Sequence, residues 1–177
     1  MRKMCVMLFL LLFASPLFSY DEDDAATAAT AAVVSWKTVV GVITAQGVDN
    51  PVGSNPRTQI HSGTFAWSVR NGHASVNLST GAASFAVEGL VINGTAFSGT
   101  RGPISAVTGT LVCNVNTTTQ TVLDTTPVPL DVHGNALFLG NIEGIPASCA
   151  NPLFLIRIKT PAGAAGRWIA TGAERFY

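Results

Sequence analysis

The sequence predicts an all-β fold: one antiparallel β-sandwich of the Ig-like or Greek-key type, with about nine strands and one disulfide. Three observations carry this expectation. From Lys37 onward, Gly, Pro or Asn interrupts the chain roughly every ten residues. The segments between are rich in Val, Thr, Ile and Phe, which suit a pleated, half-buried surface. No stretch sustains the 3.6-residue apolar period of an amphipathic helix.

The chain opens on an address rather than on structure. Arg2 and Lys3 precede an unbroken apolar run over residues 4–13, then Ala14-Ser15-Pro16-Leu17-Phe18-Ser19. That layout is a secretory signal peptide over residues 1–19, with an uncleaved N-terminal anchor as the alternative. The run is short for a bilayer span, which takes about 20 residues. Asp21-Glu22-Asp23-Asp24 follows, then an Ala/Thr-rich stretch with no large apolar side chain. Residues 20–36 therefore read as a disordered acidic leader or a frayed helix, and the domain as residues 37–177, with folding starting near Val33 to Lys37.

The strands follow in order. Residues 38–45 supply the first. Residues 64–79 then read as a hairpin turning at Asn71-Gly72, the pair that a type I′ turn favours because both central residues need positive φ. In that register Val69 meets Ala74, Trp67 meets Val76 and Phe65 meets Leu78, all on one apolar face. A second turn at Ser79-Thr80-Gly81 leads into residues 83–92, where Gly89 breaks the alternation and suggests a bulge. Further strands are expected over residues 104–113, 119–123, 136–142, 153–159 and 167–171. In the strand over 153–159 both faces are largely apolar, so it is expected to be central, with Arg157 reaching toward an edge of the core.

Two cysteines remain once Cys5 leaves with the signal. Cys113 and Cys149 form the expected disulfide of an exported chain. They lie about 36 residues apart, a loop whose closure is worth roughly 4 kcal/mol in chain entropy. A redox role would need close Cys-x-x-Cys spacing or an activated thiolate, and the sequence offers neither.

Charge narrows the function. The chain carries 10 basic and 10 acidic residues, 11% charged in all, against roughly 25% for an average domain. Four of the acids lie in the leader. A nucleic-acid partner is not expected, because the chain has no basic patch to displace counterions. Catalytic groups are scarce. Asp131-Val132-His133 spaces a carboxylate and an imidazole along an extended segment, but Gly134-Asn135 marks the place as a solvated turn. His73 reads as a surface residue beside Arg70. His61 and Ser62 are adjacent and point to opposite faces of a strand, so they are not a base and its nucleophile. No catalytic residue, metal site or cofactor site is assigned. Trp36, Trp67 and Trp168 are candidate sugar-stacking residues whose simpler role is core. Asn77, Asn93 and Asn116 each begin an N-glycosylation pattern.

Several stretches carry a resemblance. Trp67-Ser68-Val69-Arg70-Asn71-Gly72, Phe85-Ala86-Val87-Glu88-Gly89-Leu90, Gly109-Thr110-Leu111-Val112-Cys113 and Trp168-Ile169-Ala170-Thr171-Gly172 resemble motifs of small secreted bacterial β-sandwich proteins. So do Pro127 to Ala136 and Cys149 before its apolar strand. The resemblance spans about residues 38–175 and implies a secreted sandwich with one disulfide; it carries no activity across. The Phe85 to Leu90 element is also similar to one in CHRD-type β-domains, without the His-x-His pair that follows it there.

Function is then expected from the loops. Residues 46–59 and 93–103 are long for hairpin connections, and long loops are where a sandwich presents binding surfaces. The leading expectation is a secreted or periplasmic, non-enzymatic binding module, monomeric, whose unknown ligand is a neutral glycan or a protein surface. Alternatives are a structural envelope or matrix component, and a secreted hydrolase using Asp131 and His133.

Overall fold

The structure, a computed structural model, describes residues 33–177. The expected signal peptide and the acidic run lie outside the described residues. Within them the fold is all-β, with no helix. The strands are β1 (Val33–Gly41), β2 (Trp67–Ser68), β3 (Asn71–Asn77), β4 (Ala82–Glu88), β5 (Val91–Ile92) and β6 (Ala106–Cys113). Then come β7 (Thr121–Asp124), β8 (Val128–Pro129), β9 (Ala136–Asn141), β10 (Leu153–Lys159) and β11 (Ala165–Phe176). β1 begins at Val33, four residues ahead of the expected boundary at Lys37, and it buries Val34 and Trp36. That stretch belongs to the domain and not to the leader, because its alternate residues are core.

The main sheet runs in the order β7-β6-β10-β11-β1-β3-β4-β9, with β8 also on β6. Its named strand pairs are antiparallel. The two layers of the sandwich are the two halves of this one curled sheet. Aromatic rings tie them together: Phe85 of β4 lies 5.7 Å from Phe154 of β10, and Trp36 of β1 lies 5.5 Å from the same ring. Phe85 also stacks on Phe138 of β9 at 5.7 Å. Offset and tilted pairs of this kind add about 0.5–1.5 kcal/mol each to the burial of the rings. Two glycines make room for them. A Cβ on Gly109 would lie 2.8 Å from the Phe85 ring, and one on Gly172 would lie 2.6 Å from the Trp36 indole.

β10 is an inner strand, as its two apolar faces require. Phe154, Leu155 and Ile156 are fully buried between β6 and β11. Arg157 reaches out of this packing. Its Nε and Nη2 donate to the Gly166 and Ala165 carbonyls, and Nη1 pairs with Asp124 at 3.2 Å. The Cys113–Cys149 disulfide forms as expected, with Cα atoms 4.7 Å apart. It pins the long connection between β9 and β10 to the end of β6.

The expected hairpin at Asn71-Gly72 does not form. Both residues lie inside β3, which pairs with β4 and β1, so Asn71 faces Glu88. Neither has positive φ. Gly72 serves a close approach instead, since a Cβ there would lie 2.9 Å from the Val39 Cβ. Trp67 and Ser68 leave the main sheet and pair with Val91 and Ile92 in a second, two-stranded sheet. The six apolar residues still turn inward: Trp67, Ala74 and Val76 are buried, and Phe65, Val69 and Leu78 pack against the core. An apolar stripe fixes which side faces the core, not which strand lies beside it. The turn at Ser79-Thr80-Gly81 does form, with Gly81 at φ 77° and its N–H on the Asn77 carbonyl. Gly89 is not a bulge. At φ 64° it ends β4 and lets the chain cross to β5.

Candidate functional site

The second long loop and the first residue of the first long loop border a common cleft of about 470 Å³. The first loop supplies Gln46, and the second supplies residues 94–97 and Pro103. The framework supplies Trp67, Ile92, Ile158 and Ile169 from β2, β5, β10 and β11. The interior of the cleft is therefore mainly apolar. Phe97, half-exposed, belongs to its outer part.

Each loop is held in shape by its own bonds. In the second, the Gly99 N–H donates to the Ile92 carbonyl at 2.9 Å and the Ile92 N–H to the Thr100 carbonyl at 2.8 Å. The Ser98 and Thr100 N–H groups turn back on Thr95 and Phe97, which makes a compact knot rather than an open arm. Arg101 Nη1 closes its base on the Ile104 carbonyl. In the first loop, Val52 and Ile60 exchange backbone hydrogen bonds, and Ile60 is buried. The Trp168 indole N–H donates to the Asn50 carbonyl at 2.9 Å.

A polar cluster fastens the first loop to β11. Asp49 is its centre. Its Oδ2 meets His61 Nδ1, and its Oδ1 accepts from the Ser62 N–H at 2.8 Å and the Ser62 hydroxyl at 3.3 Å. Arg167 Nη1 lies 3.6 Å from the same Oδ1 and donates to the Ser62 carbonyl at 2.6 Å. Partial burial of the Asp49 carboxyl works against its charge. The hydrogen bonds from His61 and Ser62, with the His61 charge beside them, outweigh that and hold its pKa below the ordinary aspartate value. The Ser62 hydroxyl is fully buried, accepts from the Asn50 N–H at 2.8 Å and shares its one proton between the Asp49 carboxylate and the Gly63 carbonyl. Serine, histidine and aspartate thus come together without forming a nucleophilic relay. His61 and Ser62 both bond Asp49, and no hydrogen bond joins them to each other. The cluster holds a loop.

Asp131 and His133 occupy a turn. Asp131 Oδ1 accepts from the Asn135 and His133 N–H groups at 2.8 Å each, and its Oδ2 accepts from the Asn135 amide at 2.9 Å. The Asn135 N–H foremost among these bonds lowers the Asp131 pKa, against a smaller opposing desolvation. His133 is exposed. The three tryptophans do not share a platform: Trp36 is in the ring cluster between the layers, Trp168 anchors Asn50, and Trp67 alone lines the cleft. Among the described residues, no three His, Cys, Asp or Glu side chains converge as a metal site.

Sequence reasoning located the two loops but missed Asp49 and Arg167. Arg167 lies 105 residues from Ser62, and the parallel bridge between Ser62 and Trp168 that joins them leaves no local pattern. Compared with known proteins, the chain matches no family model, no curated protein and no solved structure.

Proposed function

We propose that this protein is a secreted, non-catalytic binding module whose ligand site is the cleft bordered by the loops over residues 46–59 and 93–103. The observation that carries the reading is one concave, mainly apolar surface bordered by residues 94–97 and Pro103 of the second loop and by Gln46 of the first. Its volume falls within the roughly 300–1,000 Å³ of small-molecule sites. The disulfide suits an oxidising compartment. The lining shifts the ligand away from a neutral glycan. Sugar hydroxyls set against Trp67, Ile92 and Ile169 would lose water without regaining hydrogen bonds.

Blocking the cleft tests the reading. Ala96 lines it and is itself exposed, so Ala96→Trp fills the opening without disturbing the core. Titration with an apolar fluorescent probe is expected to saturate at one site in the parent and to weaken at least tenfold in Ala96→Trp, on the order of 1.4 kcal/mol. Equal binding by both proteins would sink the proposal.

A second reading has its own observation. Leu137 and Leu139 are 64% and 77% exposed on the outer face of β9, where a self-associating matrix component would carry apolar contacts. Light scattering at high concentration, with Leu139→Lys alongside, decides it. Association that the lysine abolishes supports this reading, and a strict monomer removes it.

A further inference from the structure

We infer that the ligand of this cleft is a small apolar carboxylate: a compact hydrocarbon acid whose tail fills the interior and whose carboxylate docks on Arg167. The inference rests on the binding reading above and names its ligand class.

Charge selects the head group. Arg167 is the one charged residue in the cleft lining, and it is cationic. Its Nη1 is committed to the Ser62 carbonyl at 2.6 Å and to Asp49 at 3.6 Å. Its Nε and Nη2 make no hydrogen bond among the described residues. The guanidinium is thus fastened at one corner, with its Nε–Nη2 edge left to an acceptor. That edge presents two parallel N–H donors, the spacing that a carboxylate accepts in bidentate fashion. Asp49 meets the guanidinium only at Nη1 and is also held by His61 and the Ser62 N–H, so it leaves the Nε–Nη2 edge open. Gln46 brings a neutral amide to the same lining, with no hydrogen bond from its side chain among the described residues.

Burial selects the tail. The interior offers indole and branched aliphatic surface, worth about 25 cal/mol per Å² of apolar area that a ligand withdraws from water. A polar anion such as phosphate gains nothing there. An apolar amine would bring like charge to Arg167. An acid with a hydrocarbon tail satisfies both ends of the site.

The test compares three probes of equal length on the full chain: octanoate, octanol and octylammonium, followed by amide chemical shifts. Octanoate is expected to bind at least about tenfold more tightly than octanol, as a charge-assisted bidentate contact implies, with octylammonium the weakest. Arg167→Gln is expected to bring octanoate down to the affinity of octanol. Arg167→Lys keeps the charge without the fork, and is expected to restore only part of the preference. Should Arg167→Gln fail to fold, the probe ranking on the parent still decides. Octanol binding as tightly as octanoate, or octylammonium binding best, overturns the carboxylate assignment while leaving the cleft as a binding site. If none of the three binds, the assignment and the cleft reading fall together.

Discussion

Gly109 and Gly172 are conspicuous for what they lack. Each sits where an aromatic ring comes close to the backbone, so a side chain would displace Phe85 or Trp36 from the centre of the core. Gly109→Val is therefore expected to lower stability by about 1–3 kcal/mol, the usual cost of overpacking, measured by urea denaturation. Asp49 works at the same scale through charge. Its pKa lies below the ordinary 3.8, so the stabilisation it lends the folded state is complete above that value and is lost as pH falls through the lowered one. Amides of residues 50–62 should stay protected from hydrogen exchange down to about pH 4 and open below it. In Asp49→Asn they should be open already at neutral pH, with no acid step. Of this cluster only the neighbours His61 and Ser62 stood out in the sequence. Asp49 stood as one of six acids in the body without a partner, and its partners come from segments that meet only in the folded chain.

At the scale of elements, alternation proved more informative than turn chemistry. The strand over residues 153–159 coincides with β10, and those near residues 136–142 and 119–123 have close counterparts in β9 and β7. All three have a turn residue near an edge, and the first two carry apolar residues at strand spacing. Asn71-Gly72 shows where that logic stops. The dipeptide fits a type I′ turn by conformation, but a glycine is equally needed where β1 and β3 approach closely, and packing against Val39 decided its place. Substitution separates the two roles. Asn71→Ala is expected to change stability by less than about 0.5 kcal/mol, as for an exposed strand position. Gly81→Val should cost about 2 kcal/mol or more, because Gly81 has φ 77° and a Cβ there would lie 2.3 Å from the Ile142 carbonyl oxygen. A large loss in Asn71→Ala would restore the hairpin and contradict the observed register.

At the scale of the whole molecule, the chain closes a core by curling one sheet and stapling the connection between β9 and β10 to the end of β6. The disulfide closes that connection, so replacing Cys113 and Cys149 with alanine together is expected to cost about 2–4 kcal/mol. Calorimetry under non-reducing conditions would measure it. For a domain stable by only about 5–15 kcal/mol, that is a large share. The all-β class and the disulfide could be read from composition, cysteine count and turn spacing. The cleft could not, because its walls come from four strands and two loops whose adjacency depends on the curl of the sheet. The low charge of the sequence takes on a specific meaning here: Arg167 is the one charged residue lining an apolar cleft, paired at Nη1 with Asp49.

The most direct measurement is an amide shift map of the full chain on adding octanoate. The expected result is saturable perturbation confined to Gln46, residues 63–67, residues 92–104, Ile158 and residues 167–169. Shifts centred instead on Leu137 and Leu139, or no saturable shift at all, would contradict the cleft as the site of function.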